Sequence, residues 1–199
     1  MTTDVRLGTT TLSNPPVVNA LFNDLRYAWV WLLVRLYVGW EWLEAGWEKT
    51  HQAAWTQTGL AVKGFWTHAI VVPQPPARPA IAFNWYRSFI EMLLSHEAFV
   101  WFAKLIIVGE LAIGIALVLG VAIGLSAFFG AFMNWNFIMS GTASVNGVML
   151  ILSLLLVVAW KTAGYWGADR WILRWLGTPW DCSGVFGAAG STAMSRPSR

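Results

Sequence analysis

Charge is what this sequence has least of. Asp, Glu, Lys and Arg make up 12% of its 199 residues, against about 25% in an average soluble chain. With 57% hydrophobic residues and a mean hydropathy of +0.54, the composition is that of a membrane protein of one domain. The net charge is only +3 and the basic residues form no block, which argues against a nucleic-acid partner. Cysteine is nearly absent. Cys182, the single one, cannot form an internal disulfide, an iron–sulfur site or a CxxC redox pair. His51, His68 and His96 lie far apart with no i, i+4 pair, so no metal or haem site is predicted. The first 28 residues are polar, contain Pro15 and Pro16, and lack an apolar core followed by a cleavage site. No removable signal peptide is expected, and the first hydrophobic segment would serve as an uncleaved anchor.

What is abundant is tryptophan, with fifteen residues, a side chain that concentrates at membrane–water interfaces. A spanning helix needs about 20 mostly apolar residues. The first candidate runs from Ala28 to about Trp47. The second begins near Ala98, and from there to Met139 the chain is almost continuously apolar. That run is roughly twice the thickness of a hydrocarbon core, so it must fold back. Glycine permits the turn at LGVAIG, ending in Gly120 to Gly124. A fourth helix is predicted from about Gly147 to Trp160, extending toward Tyr165. The fold expected is an all-α membrane bundle of four transmembrane helices over residues 28–180. A polar segment, 1–27, precedes it, and a flexible tail, 181–199, follows.

Four crossings put both termini on one side. The terminal segments carry Arg6, Arg26, Lys161, Arg170, Arg174, Arg196 and Arg199, against Lys49, Lys63, Arg78 and Arg87 in the long loop 49–97. This distribution favours cytoplasmic termini and an extracytoplasmic loop in a prokaryotic plasma membrane. PQPPARP, Pro73 to Pro79, reads as a stiff extended segment. After it, Trp85, Phe89, Met92 and Leu93 fall on one face of an amphipathic helix predicted to lie on the membrane surface, with Asn84 as its cap. The loop is expected to form a lid over the outer end of the bundle.

The first hydrophobic segment carries charge where a bilayer core should exclude it. At 100° per residue, Tyr37, Glu41, Glu44 and Glu48 lie within a stripe about 60° wide, and Arg35, Trp42, Gly46 and Lys49 gather opposite. Glu48 and Lys49 sit near the helix end, where long side chains reach headgroups or water. The deeper Glu41 and Glu44 either lock helices together or serve a functional site. Glu110 is the sharper case, with no charge within five residues in IIVGELAIGIALVLG. An isolated carboxylate there must be protonated or paired, and Arg35, Lys104, Asn134 and Asn136 are the partners considered, with one on another helix favoured. Asn134 and Asn136 point to nearly opposite faces, so one is expected to bond across the bundle and the other to meet the turn or a ligand. Ala112, Ala116, Gly120 and Gly124 form a small-residue ridge for close helix packing.

These segments together resemble a family. RLYVGWEWLEAGWEK is similar to the opening helix of DoxX-like membrane proteins. WFAKLIIVGELAIGIALVLG resembles their G-E-x-x-x-G-x-x-L-x-x-G helix, FMNWNFIMSGTASVN their third helix and turn, and GADRWILRWLG their C-terminal Asp–Arg segment. The Trp-rich first helix and W-Y-R loop look closest to the DoxD branch, the large subunit of thiosulfate:quinone oxidoreductase. The sequence departs from the family at Gly147, where proline is expected. The resemblance implies oxidation of thiosulfate to tetrathionate, electrons passed to a membrane quinone, and a small partner subunit. Carried over by motif, it marks Arg35, Glu41, Lys49, Glu110, Asn134, Asn146 and Asp169.

The candidate catalytic set is therefore Glu110, Glu41, Glu44 and Arg35, with buried carboxylates delivering protons to the quinone. The candidate substrate and quinone contacts are Lys49, Trp40, Trp47, Asn134, Asn136, Asn146 and Arg87. Tryptophans of the first helix would supply an apolar slot for the ring, and Lys49, Lys63 and Arg87 an attraction for an anion. Quinone is the expected electron acceptor. Two competing readings remain: a non-catalytic integral subunit or assembly factor of a redox complex, and a small transporter.

Overall fold

The computed structural model describes residues 15–175, and every element among them is helical. A short helix α1 (Pro16–Asn23) and a 3-10 turn (Leu25–Tyr27) lead into α2 (Ala28–Thr50). The loop that follows holds α3 (Ala53–Thr56), α4 (Leu60–Ala69) and α5 (Asn84–Ser95). Then come α6 (Phe99–Leu119), α7 (Ile123–Met139), α8 (Asn146–Val158), α9 (Trp160–Gly164) and α10 (Asp169–Trp175).

The two longest helices follow from periodicity. On α2 the buried positions are Ala28, Trp31, Arg35, Val38, Gly39, Trp42 and Gly46. On α6 they are Phe99, Ala103, Ile106, Ile107, Glu110, Ile113, Gly114 and Leu117. Steps of three and four keep each set on one helical face. These faces pack on each other more extensively than any other pair, α7 with α8 coming next, and α6–α7 and α2–α8 contacts join the two pairs. Trp31, Val38, Trp42, Ile113, Leu117, Ile123, Ala127, Met149 and Leu156 fill the centre.

The α2–α6 crossing is closest at paired glycines. A Cβ on Gly114 would lie 2.9 Å from both the Gly39 carbonyl oxygen and the Leu43 nitrogen, so only hydrogen fits. The predicted small-residue ridge is not the contact: Ala112 is exposed and Ala116 only half-buried. The turn after α6 matches the expectation, with Gly120 at φ +74° closing the helix by its N–H to the Ala116 carbonyl. Gly124 lies inside α7 instead, against Trp160.

The polar N-terminal segment is structured from residue 15. α1 lies against the far end of the bundle, where the Trp31 Nε1 donates to the Leu21 carbonyl at 2.7 Å and the Thr162 hydroxyl donates to the Phe22 carbonyl. The long loop folds over the other end. Val62, Trp66, Ala69, Ile81, Tyr86 and Ile90 form a second core with Phe99, Ala103 and Ile106 of α6. The Pro73–Pro79 stretch runs without helix.

In α5 the buried residues are Tyr86 and Ile90. The predicted apolar stripe is split: Trp85, Phe89 and Met92 are exposed, whereas Leu93 packs half-buried with Tyr86 and Ile90 against the second core. Asn84 is the first residue of α5, and its side chain accepts from Arg87 instead of capping.

Large apolar side chains face outward on each of the four long helices. They include Trp29, Leu33 and Trp40 on α2, Leu105, Val108 and Ile115 on α6, Leu125, Phe128 and Phe132 on α7, and Val148, Ile151 and Val158 on α8. Of the described helices, α6 alone is long and apolar enough to cross a membrane by length and composition. The charges of α2 remove it from that test, and α7 and α8 have 17 and 13 residues. Cys182 and the segment 181–199 lie outside the described residues.

Candidate functional site

Between the bundle and the folded loop lies a cavity of about 430 Å³. Its walls are mostly aromatic: Trp42, Trp55, Phe65, Trp66, Tyr86, Phe89, Phe102 and Phe137. Its polar atoms come from Glu41, Lys49, Glu110, Asn134, Asn136, Thr142, Ser144 and Asn146. A concave, apolar site with a few convergent polar groups is the usual form of a small-molecule site.

The main charged feature of the wall is an ion pair between helices. The Lys49 ammonium lies 2.9 Å from each Glu110 carboxylate oxygen and donates to the Ala45 carbonyl at 3.1 Å. Its three donors are thus matched, and its charge also sits 5.2 Å from the Trp55 ring centre. Gly46 permits the pair. A Cβ there would meet Leu111 at 2.9 Å and the Glu110 Cβ at 3.2 Å, so the helices approach closely just one turn from Lys49. Glu110 does have a partner on another helix, as expected. It is not one of the four considered, and Lys49 turns inward to it instead of reaching out to headgroups.

Asn134, Asn136 and Asn146 all line the cavity. Asn134 is 1% exposed and its Nδ2 has no partner in the protein. The Trp42 Nε1 is buried and unpartnered too, as is the hydroxyl of Ser153 behind it. Asn136 bonds across to the loop: the Tyr86 hydroxyl donates to its carbonyl oxygen at 3.1 Å and its Oδ1 lies 3.2 Å away. Asn146 holds the α7–α8 turn through its Nδ2 to the Thr142 carbonyl at 3.0 Å. Burial pushes the Tyr86 phenol up from its ordinary value, partly offset by its bond with Ser140.

The remaining predicted residues sit elsewhere. Glu41 reaches the cavity rim. Glu44 is on the outward face of α2, and Trp40 and Trp47 beside it are 63% and 65% exposed, so they build no slot for a ring inside this chain. The helical wheel sorted the faces correctly, but the basic face is the inner one. Arg87 is held by the Asn84 side chain at 2.7 Å and the Ile81 carbonyl at 2.6 Å and does not line the cavity. Lys63 lies over the Phe99 ring.

Arg35 belongs to a separate cluster at the other end of α2, fourteen residues or about 21 Å from Lys49. Its guanidinium lies 3.4 Å from the carbonyls of Ala163 and Trp166. Asp169, fully buried beside it, accepts from the N–H groups of Ala122 at 2.6 Å and Ile123 at 2.8 Å, closing the start of α7. Burial pushes the Asp169 carboxyl up, and those two donors and then Arg35 pull it back. Gly120 and Gly167 make the room: their Cα atoms face each other so closely that a Cβ on either would strike Arg35.

Sequence reasoning missed the loop's share of the cavity. Val62, Phe65, Trp66 and Ala69 carry the i, i+3, i+4, i+7 spacing of a helix face, and that signal would have found α4. Among the described residues no group of three or more His, Cys, Asp or Glu converges on a metal-sized site. No family model matches this chain, and neither does any curated protein or solved structure.

Proposed function

We propose that this chain is an integral membrane protein crossing the bilayer through α2, α6, α7 and α8, and that its aromatic cavity seats a quinone as the membrane subunit of a quinone-linked oxidoreductase. The observation that carries the reading is the polarity of the bundle. Large apolar side chains point outward on all four long helices, while Lys49, Glu110 and Asn134 turn inward to one cavity. A water-soluble bundle has the opposite arrangement, because exposed apolar patches of that extent are rare on monomeric soluble proteins. α7 alone is roughly 26 Å long, and α8 with α9 roughly 28 Å, close to a hydrocarbon core.

The residues fit a quinone ring. Trp42, Phe102 and Phe137 offer flat apolar walls, and the side chains of Asn134, Asn136 and Asn146 offer polar groups. Lys49 is neutralised by Glu110, so the cavity favours a neutral ligand over an anion. When bound, quinone supplies acceptor chemistry for two electrons and two protons. Glu110, through its ion pair with Lys49, and the rim residue Glu41 are the wall carboxylates that would take up and pass on a proton. In the thiosulfate reading, two thiosulfates join through a new S–S bond and release the two electrons by way of a partner subunit. The outward Trp40–Glu44–Trp47 face of α2 suits that partner. The cavity lies on the extracytoplasmic side, with both termini cytoplasmic.

The test is quinone reduction by the purified chain in lipid vesicles, with thiosulfate as donor and membrane extract supplying partners, for wild type and Glu110→Gln. Thiosulfate-dependent reduction that falls at least tenfold in the variant supports an enzyme with Glu110 in its proton path. The mutual saturation of Lys49 and Glu110 favours a second reading, a non-catalytic integral subunit. Folded wild type that reduces no quinone under these conditions selects that reading over the first.

A further inference from the structure

The folded loop roofs the cavity but does not enclose it. Trp55, Val62, Phe65 and Trp66 form the roof, and each is buried or half-buried. The wall residues that are exposed lie to one side. They are Phe89 of α5, 41% exposed, and Ser144 and Val145 just before α8, the latter 54% exposed. On α2 the cavity is lined by Glu41, Ala45 and Lys49, a stripe of half-buried residues four apart. The mouth therefore lies where α2 meets the start of α8, and that contact is the least extensive of the four that join the long helices. Its depth is fixed by α6. Gly46, next to Ala45, lies against Glu110, the twelfth of the 21 residues of α6. Ala45 thus stands level with the middle of the helix that is long and apolar enough to cross a membrane. The surface around the mouth is apolar as well: Trp85 and Met92 on α5 and Val148 and Ile151 on α8 point outward.

We infer that the cavity opens sideways into the outer leaflet, between α2 and α8 and beneath α5, and that its ligand is an amphiphile with a flat, uncharged head and an alkyl chain. The head sits among the aromatic walls, and the chain leaves over Phe89 and Val145 into lipid. The inference rests on the cavity being a quinone site in a membrane-spanning bundle, and it adds the route and the chain. Lipid is as apolar as the side chains of the bundle, so a chain left in the leaflet needs no space made for it between helices. The head gains what lipid lacks, flat aromatic contact and polar side chains. The charge of the wall sets the kind of head. Lys49 and Glu110 cancel each other, and Glu41 at the rim leaves one formal negative charge. A carboxylate head, as on a fatty acid, meets repulsion there, and a neutral ring does not.

The experiment uses the full chain in lipid nanodiscs and decylbenzoquinone with a diazirine at the end of its chain. After illumination, mass spectrometry maps the label that excess unlabelled decylbenzoquinone displaces. That label is expected on α5 around Phe89 and on the segment from Ser144 to Met149. Dodecanoate, with a chain of similar length and a charged head, is expected to displace none of it. Val145→Trp, which sets a large side chain in the mouth, is expected to slow association roughly fivefold. The map from wild type decides the route even where that variant does not fold. Displaceable label confined to the roof, from Trp55 to Trp66, overturns the lateral mouth and leaves the cavity reading standing. So does association that is not slowed in folded Val145→Trp. Displacement by dodecanoate overturns the selection for an uncharged head. Failure of folded wild type to bind decylbenzoquinone saturably overturns both the mouth and the cavity reading.

Discussion

The Lys49 ammonium meets both carboxylate oxygens of Glu110 at 2.9 Å, joining α2 to α6 across 61 residues of sequence. Glu110 is almost fully buried and Lys49 is only partly screened from the cavity. Removing the buried partner strands the other charge. Glu110→Leu is expected to cost about 3 kcal/mol, and Lys49→Met added to it to restore most of that, because a hydrophobic pair replaces an ionic one. Thermal unfolding in detergent for the four members of the cycle measures the coupling. Single variants as stable as wild type would show that the pair contributes nothing.

At the opposite end, Asp169→Asn keeps the shape of the side chain but exchanges one acceptor oxygen for a donor facing an N–H. It also removes the charge beside Arg35. A loss of about 2–4 kcal/mol is expected, with quinone affinity of the folded fraction unchanged, since the cluster lies about 21 Å from Lys49 along α2. Reduced affinity in a fully folded sample would tie the two ends together and count against their separation.

Gly120→Ala tests the packing around Arg35 directly. Alanine at φ +74° is strained, and its Cβ would lie against both Arg35 and Gly167. The expected cost is above about 1 kcal/mol. Gly64→Ala is the control. Its Cβ would meet nothing within 4 Å, and it lies within α4, so it should stabilise slightly.

Tyr86 links the loop to α7, and its phenol is raised by burial. Its unfolded value is about 10. Below that pH both states keep the proton and the stability from burying a neutral phenol is fully present. As pH rises past it the unfolded chain ionises first, so stability falls until the folded phenol ionises as well. Spectrophotometric titration should show late tyrosine ionisation. Tyr86→Phe should reduce its amplitude by one phenol and flatten the alkaline loss. An unchanged late amplitude in the variant assigns it to other tyrosines.

Glu44→Gln separates the outward face of α2 from the cavity. Glu44 is exposed beside Trp40 and Trp47, so the variant should bind quinone as wild type does and lose affinity only for a partner subunit. A drop in quinone affinity in the isolated chain would place Glu44 in the cavity after all.

The helices were legible because their signal is local. The 3.6-residue period of α2 and α6, the glycine turn at Gly120 and the onset of α7 all follow from neighbouring residues. The partner of Glu110 was not, because it depends on how far α2 slides along α6. Three extra residues at the end of α2 and the bare surface of Gly46 bring Lys49 level with Glu110. The wheel separated an acidic from a basic face, but no rule of composition says which one turns inward. Here the glycines decide: Gly39 and Gly46 lie on the Trp42 side, so that side packs. Arg35 shares that face with Lys49, and sharing a face on a long helix does not put two residues in one site.

The contacts of Arg35 also order events during synthesis. Its carbonyl partners lie 128 and 131 residues downstream, and Asp169 further still. The seat of α1 is completed by Thr162, 140 residues after Phe22. A nascent chain whose first hydrophobic helix has been released therefore carries a guanidinium without its companions until nearly the whole polypeptide has been made. In the proposed membrane topology, either the insertion machinery shelters that helix or its start stays at the headgroup level. The last two short helices then complete the assembly, so a ribosome stalled before residue 160 would yield a chain with its first helix unanchored.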